Sequence, residues 1–103
     1  MSEEILRKIY SVAQERKKAD PESSYVAKLY SKGEDKVLEK VGEEAIEVIL
    51  AVKTGDRGQI IYETADLWFH SILALALKDV TVDDVLNELS GRFGKTGIRE
   101  KKD

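Results

Sequence analysis

The sequence contains no cysteine, one proline and a single histidine among its 103 residues. The absence of cysteine excludes disulfides, thiolate zinc sites and cysteine nucleophiles together. A single histidine also fails the requirement of di-iron carboxylate bundles, which need a Glu-x-x-His pair on each of two helices. The small net charge of −3 disfavours nonspecific binding to nucleic acid or to an anionic membrane.

The chain also lacks any sustained two-residue alternation of apolar and polar side chains. Its apolar residues recur at helical spacing instead, which predicts helices over about 2–19, 24–31, 35–53, 57–78 and 81–92. We therefore expect an all-α fold, a bundle of four to five helices that forms a single domain over residues 1–92. Residues 93–103 are rich in glycine and charge, and they are predicted to form a flexible tail.

No apolar run in the sequence is long enough to predict a membrane span. The longest candidate, residues 67–77, is too short to cross a bilayer and includes His70 and Ser71. We expect a cytoplasmic protein with neither a membrane nor a nucleic acid as its partner.

Two pairs of acidic residues are the most informative feature of the chain. Glu44 and Glu47 are three residues apart in the third predicted helix, as are Glu63 and Asp66 in the fourth. That spacing places both side chains of a pair on one helix face. On facing antiparallel helices the four carboxylates would form one cluster, with Glu43 close by. Such a cluster needs a cation, and an all-oxygen ligand set favours Mg²⁺, with Mn²⁺ as the alternative.

Ordinary structural explanations exist for the same residues. A solvated, charge-rich face would explain the three acids of the third helix without any ligand. That explanation is weaker for Glu63 and Asp66, because nearly all other residues of their helix are apolar and buried carboxylates need partners. His70 would serve equally well as a core histidine with a satisfied hydrogen bond, and Lys36 and Lys40 as surface charges.

Both long predicted helices carry more apolar surface than one small bundle can bury. In the third helix an apolar arc is formed by Val37, Leu38, Val41, Ala45, Val48, Ile49 and Val52. Ile46 and Leu50 add apolar surface on the far side of the same helix. Two apolar faces predict a second subunit, so we expect a homodimer with a shared helical bundle.

The acidic residues form a recognisable motif, Glu43-Glu44-Ala45-Ile46-Glu47 followed by Glu63-Thr64-Ala65-Asp66. This motif resembles the Glu-Glu-x-x-Glu and Glu-x-x-Asp signature of the MazG-like all-α nucleotide pyrophosphatases. Further similarity, to the phosphoribosyl-ATP pyrophosphatase family within that group, is carried by Ser24-Tyr25, Gly33, Lys36, Lys40-Val41-Gly42 and His70. The resemblance extends over nearly the whole chain.

The resemblance implies Mg²⁺-dependent hydrolysis of phosphoribosyl-ATP to phosphoribosyl-AMP and pyrophosphate, the second step of histidine biosynthesis. It implies that the metal is held by Glu44, Glu47, Glu63 and Asp66. Glu43 would orient or deprotonate the attacking water, although Glu44 is an alternative for that role. The residues expected to contact the substrate are Lys36, Lys40, Arg16, Ser24, Tyr25 and His70.

Two other functions remain open from the sequence. A house-cleaning pyrophosphatase acting on noncanonical nucleoside triphosphates would share the metal site and differ in its base and ribose pocket. A noncatalytic helical dimerisation module would leave the acidic residues solvated, and Mg²⁺ would then not change its melting temperature.

Overall fold

The described part of the computed structural model, residues 2–94 and 97–98, is built almost entirely from helices. Its helices are α1 (Ser2–Arg16), α2 (Tyr25–Ser31), α3 (Glu34–Thr54), α4 (Arg57–Leu77) and α5 (Val82–Gly91). A 3₁₀ turn over Pro21–Ser23 precedes α2. After α5, the two-residue strands β1 (Phe93–Gly94) and β2 (Gly97–Ile98) pair antiparallel, with Phe93 opposite Ile98. The predicted all-α fold of four to five helices is confirmed.

Local signals in the sequence define most helix ends. Ser24, Asp56 and Thr81 each accept a hydrogen bond from a backbone N–H in the first turn of the following helix. The Asp84 side chain accepts a hydrogen bond from the backbone N–H of Thr81, which completes a capping box. Gly55 ends α3 with φ of 81°, a left-handed conformation that glycine adopts without strain.

The first helix ends earlier than the sequence predicted. It stops at Arg16, four positions before Asp20, because Asp20 accepts a hydrogen bond from the backbone N–H of Glu22 and starts a separate turn. The predicted tail over 93–103 contains the two short strands, and its remaining residues lie outside the described part of the chain.

The two long helices form an antiparallel hairpin whose bend lies at Gly55 and Asp56. α1 packs against α4, α2 packs against α3 and α1, and α5 packs against α1. The core is formed by Ala13, Val26, Leu29, Val37, Leu73 and Ala76. Val37 lies early in α3 and Leu73 late in α4, so the core covers the half of the hairpin that is remote from the bend.

Near the bend, α3 and α4 expose an apolar surface. We call it the bend surface, and it consists of Ile46, Ile49, Leu50, Val52, Ile61 and Tyr62. Each of these side chains is more than half exposed. The apolar surroundings of α4 suggested burial on several sides, but within one chain its first half exposes Ile61 and Tyr62, because none of the other helices in the described residues packs over the bend.

By length and composition alone, α4 is apolar enough to cross a membrane. Core helices of water-soluble proteins pass the same test. Since α4 also carries buried Glu63 and His70 and packs against α1 and α3, its apolar character does not indicate a membrane protein.

Candidate active site

The hairpin brings the two acidic pairs level with each other. Glu44 lies eleven residues before Gly55, and Asp66 lies eleven residues after it. Glu47 and Glu63 each lie eight residues from Gly55, so they stand about one helical turn closer to the bend. The two helices therefore lie antiparallel and in contact, as predicted.

At the level farther from the bend, three side chains form a tight group. Glu44, Asp66 and His70 each offer a ligand atom, and these atoms all lie within 4.8 Å of one another. Glu44 and His70 are buried, and Asp66 is partly exposed. Burial and the adjacent Asp66 carboxylate raise the pKa of Glu44. A raised pKa means that this site holds its negative charge unfavourably, which a bound cation would relieve.

At the level nearer the bend, the carboxylates of Glu47 and Glu63 do not belong to that tight group. Glu63 is buried, and its Oε2 accepts a hydrogen bond of 2.6 Å from the side-chain amide of Gln59. Glu47 is exposed. Of the four residues predicted to hold the metal, the structure thus gathers Glu44 and Asp66 closely and leaves Glu47 and Glu63 one turn away.

Lys40 lies beside the buried carboxylate. Its Nζ is 3.5 Å from Glu43 Oε1 and 3.6 Å from Glu44 Oε2, and its side chain is only 27% exposed. Burial opposes its positive charge, but Tyr25, Glu43 and Glu44 together raise the pKa of Lys40. Lys40 therefore stays protonated and is shared between the exposed Glu43 and the buried Glu44. Lys36, one turn earlier, forms a 3.2 Å ion pair with Glu39.

The remaining residues expected to contact substrate lie on α1, α2 and α4. The hydroxyl of Tyr25 is 2.8 Å from Nε2 of His70, which connects α2 to the tight group. The Ser24 hydroxyl accepts a bond from the backbone N–H of Ala27 and caps α2. Arg16 is the last residue of α1, and its Nε is 3.4 Å from Oε1 of the neighbouring Glu15. Tyr25 and His70 are thus joined to the acids, while Ser24 and Arg16 have local structural contacts.

One participant, Gln59, was not among the predicted site residues. It lies four residues before Glu63, on the same stripe of α4 as Asp66 and His70. Its position on that stripe was a usable signal, because an amide at that spacing can donate to a carboxylate one turn later.

The fold and the site together define a class of protein. It is an all-α chain with a helical hairpin that gathers the carboxylates of Glu44 and Asp66 and one histidine into a group that could hold a metal ion, with a lysine beside it. Hard oxygen ligands of this kind suit a divalent cation, and the adjacent lysine suits an anionic substrate.

Comparison with known proteins identifies the family. The model of the family described as phosphoribosyl-ATP pyrophosphohydrolase matches residues 6–93. A phosphoribosyl-ATP pyrophosphatase of Geobacter sulfurreducens is 54% identical over 99 residues, which cover 96% of this chain and 92% of that protein. The relative of the same name in Nitrosomonas eutropha is 53% identical over 100 residues, covering 97% and 86%. The one in Vesicomyosocius okutanii is 48% identical over 99 residues, covering 96% and 94%.

The chain belongs to the phosphoribosyl-ATP pyrophosphohydrolase family. It is accordingly an enzyme of the hydrolase class, as the resemblance of its acidic motif predicted.

Proposed function

We propose that this chain hydrolyses phosphoribosyl-ATP to phosphoribosyl-AMP and pyrophosphate, the second step of histidine biosynthesis, in the cytoplasm. Its relatives carry the name of that activity. The observation that carries the proposal is the buried Glu44, held beside Asp66 with a raised pKa and within 3.6 Å of Lys40. Unfavourable negative charge next to a cationic side chain fits a site where a metal ion and phosphates meet.

The residues present fit a Mg²⁺ ion. Glu44 and Asp66 supply oxygen ligands from the tight group, and Glu47 and Glu63 would complete the set from the turn below. Bound Mg²⁺ would neutralise phosphate charge and polarise the anhydride. The alternative is Mn²⁺, which accepts the same oxygen ligands. The Gln59 amide donates to one carboxylate oxygen of Glu63, Oε2, and a carboxylate has a second oxygen that can bind the ion.

We assign the water-activating role to Glu43. Its carboxylate is exposed and outside the tight group, so a water molecule can reach it although Lys40 lies 3.5 Å from its Oε1, whereas the charge of Glu44 faces Asp66. The water oxygen forms a bond to phosphorus, the bond from that phosphorus to the bridging oxygen breaks, and Glu43 takes the proton. Glu44 remains the alternative, because burial raises its pKa and so makes it a stronger base than an ordinary glutamate.

Phosphate contacts are assigned to the basic side chains. Lys40 already lies at the carboxylates, and Lys36 lies one turn away on the same helix. Arg16 and the Ser24 hydroxyl would reach the outer phosphates or the added ribose phosphate. Positive charge is required here, because the substrate carries a triphosphate and a ribose phosphate that one Mg²⁺ cannot neutralise.

We also propose that the enzyme is a homodimer joined through the bend surface. That surface exposes isoleucine, leucine and tyrosine side chains by 53–65%. An uncovered apolar patch formed by two neighbouring helices is typical of a subunit interface. A partner hairpin packed there would form a four-helix bundle with the acids of both chains near it.

The substrate is tested by measuring pyrophosphate release from phosphoribosyl-ATP, ATP and a set of deoxynucleoside triphosphates, each with Mg²⁺. We expect phosphoribosyl-ATP to give the highest kcat/KM, by at least about tenfold, equivalent to about 1.4 kcal/mol of transition-state binding. Preference for a deoxynucleoside triphosphate would identify a house-cleaning pyrophosphatase instead. No turnover with any of them would favour the noncatalytic dimerisation module.

A further inference from the structure

The single histidine of the chain has both ring nitrogens engaged. Nδ1 of His70 lies 2.9 Å from the backbone carbonyl oxygen of Asp66. A carbonyl oxygen can only accept, so Nδ1 carries the hydrogen. In the neutral ring Nε2 is then an acceptor, and its partner at 2.8 Å is the Tyr25 hydroxyl. In this neutral form the Tyr25 hydroxyl donates its hydrogen to His70.

His70 is held far more firmly than the tyrosine it contacts. Its ring is 3% exposed and meets the edge of Phe69 at 5.2 Å between ring centroids and that of Tyr25 at 5.8 Å. Tyr25 is 52% exposed and begins a short helix. An exposed tyrosine samples several rotamers unless something fixes it. The hydrogen bond to His70 supplies that restraint.

The fixed hydroxyl lies among the charges of the candidate active site. The Tyr25 hydroxyl is 2.8 Å from Nε2 of His70, whose ring belongs to the tight group with Glu44 and Asp66. Burial and the neighbouring acids raise the pKa of Tyr25, although Lys40 opposes that rise. The Tyr25 oxygen thus stands next to the place where the substrate would bind, although about half of the residue is exposed.

We infer that His70 is a positioning residue that fixes the Tyr25 hydroxyl with its hydrogen committed to Nε2. The inference rests on the proposed function. The Tyr25 oxygen then presents only lone pairs to the site, so it accepts a hydrogen bond from the nucleotide. Phosphate oxygens carry no hydrogen at a dianionic group, whereas ribose hydroxyls and base N–H groups do. Tyr25 therefore contacts the sugar or base of the substrate and does not contact its phosphates.

The competing role for His70 is that of a metal ligand, since it belongs to the tight group with Glu44 and Asp66. A ring nitrogen that binds a metal must give up its present hydrogen bond, either to the Asp66 carbonyl or to Tyr25. The two roles therefore predict different behaviour of the imidazole when Mg²⁺ is added.

The kinetic test uses Tyr25→Phe, His70→Asn and His70→Gln. A glutamine amide reaches about as far as Nε2 and can still accept from Tyr25, whereas an asparagine amide reaches only as far as Nδ1. We expect Tyr25→Phe and His70→Asn each to lower kcat/KM for phosphoribosyl-ATP by about five- to tenfold, mainly through KM. His70→Gln should recover most of the loss. The double variant Tyr25→Phe/His70→Asn should be no worse than either single variant.

The matched control is Tyr10→Phe, which removes the hydroxyl of a tyrosine on α1 that accepts a hydrogen bond from Gln14 outside the candidate site, and it should leave kcat/KM unchanged. Additive losses in the double variant, or no loss in Tyr25→Phe, would overturn the inference. Tyr25→Phe alters an exposed side chain, so it remains a valid test even if a substitution at the buried His70 prevents folding.

The structural test is ¹⁵N NMR of the imidazole, which needs no assignment because the chain has one histidine. We expect the hydrogen on Nδ1, a changed Nε2 resonance in Tyr25→Phe, and the same tautomer after Mg²⁺ is added. A hydrogen on Nε2 would contradict the inference. A large change in the chemical shift of Nε2 on addition of Mg²⁺ would contradict it as well. This readout does not require turnover, so failure of the proposed reaction in the wild-type enzyme is distinguished from failure of the positioning role.

Discussion

Truncating Ile49 on the bend surface should weaken the dimer strongly. Ile49 is 60% exposed in a single chain. Complete burial of an isoleucine side chain contributes about 1.5–3 kcal/mol, so covering the exposed part contributes about 1–2 kcal/mol. A twofold interface contains the residue twice, which makes the cost of Ile49→Ala about 2–4 kcal/mol. At about 1.4 kcal/mol per tenfold change, the dimer Kd should rise about 25- to 700-fold.

Sedimentation velocity over a dilution series measures this shift directly. The matched control is Ile5→Ala, because Ile5 on α1 is 54% exposed but lies on a different element from the bend surface. We expect its Kd to equal that of the wild type. Equal effects of the two substitutions, or a wild-type protein that stays monomeric at micromolar concentration, would refute the assignment of the bend surface as the interface.

Three further predictions concern single residues. Lys40→Ala should lower kcat/KM by at least about tenfold if Lys40 contacts phosphate, whereas unchanged kinetics would leave it as a surface ion pair worth under about 1 kcal/mol. Burial raises the pKa of Tyr30 to about 12, and its hydroxyl donates to the Leu73 carbonyl. Because the folded pKa is higher than the unfolded one, the contribution of Tyr30 to the free energy of unfolding is complete below pH 10 and is lost as the pH rises toward 12. Denaturant titrations should show that loss in the wild type and not in Tyr30→Phe. Thr81→Ala breaks the capping box with Asp84 and should cost about 1 kcal/mol of unfolding free energy, while an unchanged melting temperature would show that the cap contributes nothing.

Much of the fold follows from local rules that a sequence displays. Capping residues such as Ser24 and Thr81, and Gly55 between two apolar runs, give the helix ends to within a few positions. The early end of α1 was missed, because the Asp20 cap starts a turn of its own and competes with continuation of the helix.

The candidate site was predictable where it depends on helical spacing. Glu44 and Asp66 meet because both lie the same distance from the bend, and spacing alone revealed that two such pairs could face each other. The closer grouping of Glu44 and Asp66 than of Glu47 and Glu63 was not predictable, because side-chain contacts such as the bond from Gln59 to Glu63 depend on rotamers that helical spacing does not fix.

The link between Tyr25 and His70 depends on tertiary packing. These residues are 45 positions apart, and their contact requires α2 to lie across the hairpin. Periodicity describes the face of one helix and carries no information about which other helix covers it. The same limitation applies to α3: its two apolar faces predicted a second subunit, but periodicity did not show that Ile49 and Val52 are among the residues that a single chain leaves exposed.

The binding of Mg²⁺ by Glu44 and Asp66 is tested by comparing how three variants respond to the ion: Glu44→Gln, Asp66→Asn and the control Glu34→Gln. Glu34 is an exposed acid at the start of α3 that pairs with Lys78, outside the site. Thermal unfolding without and with Mg²⁺, followed by turnover of phosphoribosyl-ATP, is recorded for each variant.

A metal that binds only the folded chain raises its melting temperature, so the wild type and Glu34→Gln should both be stabilised by Mg²⁺. Glu44→Gln should be more stable than the wild type without metal, because it removes a charge that burial and Asp66 disfavour. In Glu44→Gln and Asp66→Asn, Mg²⁺ should no longer raise the melting temperature. Both variants should also have a kcat at least about 100-fold lower than that of the wild type. Near-normal turnover of either variant at saturating Mg²⁺ would contradict the account.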